Sequence, residues 1–203
     1  MKTPTRHLVA AAAALALAGC AGGEPTAVQE GAPGPIRRDG EPDWRYTFFK
    51  WQVPVTTVAV DTAMEYGIRF KTSLPGVVVG FRVYHVEGDT SRVTFALRNY
   101  SAIALRRDTL PGRMATSPDS SHWQDEHLAP SAYYRLTPEI WYRVSAHSRG
   151  KLGKTTDYFA GGAVVNRILT ADQGFSILRS SPWTTAWSND AWFVDVIFQP
   201  DPV

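Results

Sequence analysis

Four charged residues, Glu65, Arg69, Arg82 and Asp195, each alternate with apolar neighbours, which places them on the outward faces of strands, exposed to water. Carboxylates and guanidinia so arranged suit acid–base chemistry, but on neighbouring strands they more commonly form cross-strand ion pairs that fix register. Glu65 and Asp195 carry hard oxygen ligands and are the candidate ligands of a structural Ca²⁺, the one cofactor the residues suggest. His122-Trp123-Gln124-Asp125-Glu126-His127 sets two His five apart with two carboxylates between them. At that spacing imidazoles point to opposite faces of a strand, or lie about 140° apart on a helix, so they do not converge on a metal. A solvated loop is the expectation there, and His85 and His147 fall at strand ends.

The remaining catalytic patterns are missing. No Gly-x-Ser-x-Gly elbow occurs and no His stands beside a recognisable nucleophile, so a hydrolytic triad has no support. Lys151-Leu152-Gly153-Lys154-Thr155 ends like a phosphate loop, but Ser148 occupies the position of its first Gly. An enzyme would need two carboxylates about 5 to 10 Å apart in a cleft, and no catalytic residue is assigned.

Aromatic residues offer the better lead. Trp183 and Trp187 lie in Ser180-Ser181-Pro182-Trp183-Thr184-Thr185-Ala186-Trp187-Ser188-Asn189-Asp190, read as a polar loop, and Tyr158 lies in the loop-like stretch from Thr155 to Gly162. The apolar face of a pyranose stacks on an exposed ring while polar groups such as Asn189 take its hydroxyls. These four residues are the candidate ligand-binding set; the competing expectation is that the rings cap the open ends of a core.

The elements that would carry these residues begin after a targeting segment. Lys2 and Arg6 precede an unbroken apolar run, Leu8 to Ala18, the pattern of a signal peptide covering residues 1–19. That run is too short for a membrane-spanning helix, which needs roughly 20 residues. Leu17-Ala18-Gly19-Cys20 resembles the bacterial lipobox, which implies diacylglycerol on the Cys20 thiol, cleavage before it, and a lipid bilayer as partner. Ala21 resembles the signal that sends such proteins to an outer membrane. Cys20 is the single cysteine of the chain, so no internal disulfide and no thiolate cluster can form. Residues 20–43 hold five Gly, four Pro and no aromatic residue, the composition of a flexible tether with a span of about 25 to 30 Å.

From Trp44 the composition changes, and residues 44–199 are expected to form one domain, with 200–203 as a tail. The seven Trp, eight Tyr and nine Phe of the chain supply a core. Without Lys2 and Arg6 the basic residues fall from 21 to 19, equal to the 19 acidic ones, so no electrostatic footprint for nucleic acid remains. The hydrophobic period is two. Met64, Tyr66, Ile68 and Phe70 alternate with Glu65, Gly67, Arg69 and Lys71; Val77, Val79, Phe81 and Val83 alternate with residues that include Gly80, Arg82 and Tyr84. Val93, Phe95 and Leu97, then Ile103 with Leu105, then Ile140, Tyr142, Val144 and Ala146 continue the series. Late strands are expected at 168–169, 175–178 and 192–198. Turns fall at Leu74-Pro75-Gly76, Pro111-Gly112 and Thr137-Pro138-Glu139. Helical spacing over ten or more positions does not recur after residue 18. The fold class is therefore all-β, a single antiparallel β-sandwich of the jelly-roll or immunoglobulin-like kind.

The run from Met64 to Tyr84, the Leu136-Thr137-Pro138 turn leading to Trp141-Tyr142-Arg143-Val144-Ser145, and the closing Ala191-Trp192-Phe193-Val194-Asp195-Val196-Ile197-Phe198 together resemble the bacterial family called domain of unknown function 4082, over residues 46–199. The family pattern carries a Ser-Leu-Trp motif where this chain has Val93-Thr94-Phe95-Ala96-Leu97-Arg98. The resemblance implies a β-sandwich of secreted and surface proteins, often beside carbohydrate-active or adhesive modules, with no assigned catalytic chemistry. Taken together, the expectation is an extracytoplasmic, lipid-anchored, non-catalytic binding module for glycans or a cell-surface ligand. The alternative is a structural or protein-interaction component of the cell envelope.

Overall fold

The computed structural model describes residues 45–99, 101, 103–110 and 122–202. The signal peptide, Cys20, the tether and Trp44 lie outside the described residues. Among the described ones the chain forms fourteen strands and one 3₁₀ turn, Pro130–Ala132. The strands are β1 (Thr56–Ala59), β2 (Met64–Thr72), β3 (Gly76–His85), β4 (Val93–Asn99), β5 (Ala104–Leu110), β6 (His122–His127), β7 (Tyr134–Leu136), β8 (Tyr142–His147), β9 (Lys151–Thr155), β10 (Val164–Asn166), β11 (Leu169–Leu178), β12 (Ser181–Ser188), β13 (Ala191–Trp192) and β14 (Val194–Pro200).

A seven-stranded sheet runs in the order β10-β11-β2-β8-β4-β5, with β12 pairing β11 beyond the span taken by β10. A four-stranded sheet is ordered β14-β3-β6, with β7 also pairing β3, and a three-stranded sheet is ordered β1-β9-β13. Every strand pairing is antiparallel. The expected all-β sandwich is what the chain forms. Its dry layer lies between the two larger sheets: Ile68, Phe70, Phe95, Leu97 and Val144 from the one, and Val78, Phe81, Val83, Val194, Val196 and Phe198 from the other, are at most 2% exposed. Phe81 and Phe95 stack across the interface with centroids 5.2 Å apart.

Three expectations are corrected. The segment His122–His127 is strand β6, paired with β3 from Gly80↔His127 to His85↔His122, and not a loop. Its alternation is polar because it is the edge of its sheet, with one face open to water. Ser181–Ser188 is likewise strand β12, bonded to β11 from Gly174↔Ser188 onward, rather than a polar loop. In β3 the inward phase changes partway. The register with β14 steps from Gly80↔Ile197 to Val78↔Phe198, so Val79 is the extra residue of a bulge and Val78 takes the core position. Val77, expected inward, is half-buried.

Candidate functional site

Both larger sheets also bury much of their outer faces, and this overturns the solvated placement of three charged residues. Glu65 is 5% exposed, Arg82 8% and Asp195 1%. They do point away from the core, as alternation requires, but other parts of the chain cover them. Arg69 is half-buried.

On the outer face of the seven-stranded sheet, Glu65 of β2 reaches over the middle strand β8 to Arg98 of β4. Arg98 Nη2 lies 2.5 Å from Glu65 Oε2. The Ser145 hydroxyl, on the strand between, donates to the same Oε2 at 2.9 Å. Gly67, Ser145 and Ala96 share one level of the register, and their small side chains leave room for the two long ones to meet above them.

Further along the same face the residues become an alternating stack of rings and cations. Arg69 of β2 and Arg143 of β8 are register partners. The Arg69 guanidinium lies 4.8 Å from the ring centre of Trp141 and 5.1 Å from that of Trp187. Arg143 lies 4.6 Å from Trp187 and 5.9 Å from Phe175, and Lys71 Nζ lies 5.4 Å from Trp141. Phe175, fully buried although it faces outward, holds Trp187 edge-on at 5.7 Å. Two of these cations are paired with carboxylates. Asp172 is the extra residue of a bulge in β11, where the register skips from Ala171↔Phe70 to Gln173↔Arg69; the bulge aims its carboxylate at Arg69, which donates from Nε at 2.8 Å and from Nη2 as well. Lys71 pairs with Glu139, and Arg143 donates to Thr185 Oγ1 at 3.0 Å. Trp187 remains 38% exposed. With two guanidinia and Phe175 packed against it, the ring is a supported platform whose open part faces water.

The outer face of the four-stranded sheet has a different covering. Residues 46–52 begin with a bridge between Tyr46 and Phe198 and lay Phe49 against both Phe193 and Trp123, at 4.4 and 5.8 Å, the latter two rings also meeting at 5.8 Å. Tyr84 and Tyr158 meet these rings edge-on. Asp195 sits beneath this layer. Its Oδ2 accepts the Phe49 N–H at 2.8 Å and its Oδ1 the Val196 N–H at 2.7 Å. Burial pushes its carboxyl up to about 7, against the lowering pull of the Phe49 N–H, Arg82 and the Val196 N–H. Arg82, its register partner, donates to Asp125 Oδ1 at 2.8 Å and to Thr47 Oγ1 and the Lys50 carbonyl at 3.1 Å each.

The four candidate binding residues are only partly brought together. Trp187 is the exposed ring. Trp183 lies on the same strand, β12, with its side chain outside the described residues. Tyr158 lies in a turn, but its hydroxyl donates to Gln52 Oε1 at 2.7 Å and its ring packs on Phe49 and Phe159. Asn189 joins that second group, its carbonyl accepting the Phe159 N–H at 2.8 Å. Trp187 and Tyr158 thus have no partner in common and belong to different faces. The candidate calcium ligands are separated too, Glu65 on the seven-stranded sheet and Asp195 on the four-stranded one, and among the described residues no group of three or more His, Cys, Asp or Glu is placed to hold a metal ion. His122 and His127 occupy the two ends of β6, with the His122 ring 5.3 Å from His85.

Trp141 and Arg143 were missed from the sequence. They stand two apart, opposite in phase to Tyr142 and Val144, and so share an outward face that a full period-two reading of β8 would have exposed. Their meeting with Trp187, however, depends on the strand order β12-β11-β2-β8.

Comparison with known proteins gives one family. The model of the family described as Domain of unknown function (DUF4082) matches residues 51–193, and the chain belongs to that family. No curated protein matches the chain.

Proposed function

We propose that this domain is a non-catalytic binding module that takes carbohydrate on the outer face of its seven-stranded sheet, displayed outside the cytoplasm on a lipid anchor at Cys20. The observation that carries the reading is Trp187, 38% exposed on a strand and braced by Arg69, Arg143 and Phe175. A ring immobilised before the ligand arrives loses little further freedom on stacking with a sugar. Neighbouring Trp141, half-buried, extends the aromatic surface, and the half-buried Arg69 and Lys71 supply donors for hydroxyls or for carboxylates of acidic sugars, with Arg143 buried beneath them as support for Trp187. The non-catalytic part of the reading rests on the carboxylates of this face: Asp172, Glu139 and Glu65 are each tied to a cation, whereas glycoside hydrolysis requires two carboxyl groups facing one bond.

Affinity electrophoresis through cell-wall and plant polysaccharides tests the site. The wild type should be retarded by at least one of them, and Trp187→Ala should bind roughly tenfold more weakly, the equivalent of about 1.4 kcal/mol. Trp183→Ala/Trp187→Ala should abolish retardation. Unchanged mobility of the double variant in a gel that retards the wild type removes the stacking site.

A further inference from the structure

Residues 51–55 invert the usual pattern of a half-buried segment. Trp51, Val53 and Val55 are 66%, 62% and 78% exposed. The alternate residues make the segment's contacts with the protein: the Gln52 carbonyl accepts Trp123 Nε1–H at 2.7 Å and its side-chain oxygen, still open to water, the Tyr158 hydroxyl at 2.7 Å. Pro54 lies so close over Gly153 that a Cβ there would meet its Cγ at 2.6 Å. A segment that touches the protein through Gln52 and Pro54 while a tryptophan and two valines stand out from it has one apolar edge offered to whatever lies outside. A tight turn creates that edge. Lys50 takes a left-handed backbone (φ 48°) and the Gln52 N–H bonds the Phe49 carbonyl at 2.8 Å, swinging the chain from the layer over Asp195 out to the rim. Left-handed backbone at a lysine costs about 1 kcal/mol or more, so the surrounding contacts must hold it there.

The geometry points to a lipid bilayer as the partner of this edge: Trp51, Val53 and Val55 sit in the membrane interface and fix how the domain stands on it. This rests on the anchoring reading at Cys20. Two considerations choose the lipid surface over a protein. One exposed tryptophan and two valines offer a few hundred Å² at most, well short of the roughly 800 Å² per partner of a stable protein interface. The edge also begins only seven residues after Trp44, the end of the chain that leads from Cys20. The tether expected from composition, with a span of about 25 to 30 Å, would keep these side chains beside the bilayer at high effective concentration, so that a contact too weak to bind alone is made intramolecularly. Tryptophan is the side chain best suited to the boundary between headgroups and acyl chains.

The test uses the full chain, isolated with its lipid and reconstituted in vesicles of phosphatidylethanolamine and phosphatidylglycerol, with and without bromine on the acyl chains. The difference in emission between wild type and Trp51→Phe isolates Trp51. Brominated lipid should cut that component to about half or less. Trp51→Ser/Val53→Thr/Val55→Thr, at surface positions, should float with the vesicles like the wild type yet lack the quenched component. A chain that floats while Trp51 is unquenched overturns the proposal, as does concentration-dependent dimerisation that the triple variant abolishes, which would make a second copy the occupant. Failure of the anchoring reading looks different: palmitate label persists in Cys20→Ser, or the wild type does not float. The edge is then tested with Cys20→Ser carrying an N-terminal histidine tag on nickel-chelating vesicles, where an unquenched Trp51 again refutes it.

Discussion

The two outer faces of the sandwich bury a carboxylate each, by opposite means. On the seven-stranded sheet Glu65 meets the Arg98 guanidinium and the Ser145 hydroxyl directly, and the side chains of the sheet itself cover much of that face. On the four-stranded sheet Asp195 is covered by a separate segment, residues 46–52, and is held by backbone N–H groups while the neighbouring Arg82 spends three hydrogen bonds on Asp125, Thr47 and Lys50. On the first face the Arg98 guanidinium offsets part of the desolvation of the buried Glu65 carboxylate; on the second, burial under aromatic rings drives Asp195 toward its neutral form. The first face leaves an exposed ring over fixed cations, a surface for a ligand. The second is closed by the chain's own aromatic layer.

The largest effect separating the faces should come from Glu65→Ala. It leaves Arg98, 1% exposed, without its carboxylate, and stability measured by urea unfolding should fall by about 3–5 kcal/mol. Glu65→Leu/Arg98→Met, which removes both charges and keeps volume, should recover most of that loss. A loss below about 1 kcal/mol for Glu65→Ala would mean that the pair does not carry its face.

The second effect belongs to Asp195 and depends on pH. Its carboxyl is raised from 3.8 to about 7 in the folded chain, so between those values the folded state binds the proton and the unfolded state does not. Stability from this group is fully present below pH 3.8 and is lost as pH rises through about 7, a decline of a few kcal/mol in order of magnitude. Urea midpoints should therefore fall in the wild type from pH 4.5 to about 7 and level off above it, and that slope should flatten in Asp195→Asn. Equal slopes in the two proteins would place the titration elsewhere.

How far these faces could be read from the sequence follows from the same physics. Strands β2, β8 and β14 announce themselves because their core residues alternate without interruption, β3 does so over Phe81 and Val83, and the sandwich follows from them. Strands β6 and β12 do not, since edge strands half open to water spell a polar alternation that looks like a loop. Val79 was assigned to the core because a bulge is a property of the pairing with Ile197 and Phe198, invisible in β3 alone. Glu65, Arg82 and Asp195 have the phase of surface residues. That they are buried depends on coverings contributed from far along the chain, Arg98 for the first and Phe49 for the last. For Trp187 the sequence left an exposed ring and a core cap both open; its 38% exposure and its bracing by Arg69 and Arg143 required the strand order.

The smallest effect should come from the ion pair at the open end of the ring-and-cation stack. Lys71 and Glu139 are paired, but their side chains are 27% and 60% exposed, so water and salt screen the attraction and holding two long side chains together costs conformational entropy. Lys71→Ala should change stability by no more than about 1 kcal/mol, and raising salt should shrink even that difference. The substitution also removes the ammonium 5.4 Å from Trp141 while leaving Arg69 between the two tryptophans. Because Arg69 is fixed by Asp172 through two donors, Trp187 should keep its support and polysaccharide retardation should survive the loss of Lys71. If Lys71→Ala instead costs as much as breaking Glu65 from Arg98, the exposed end of this face is as rigid as its buried end, and the distinction between a structural half and a recognition half of the sheet is lost.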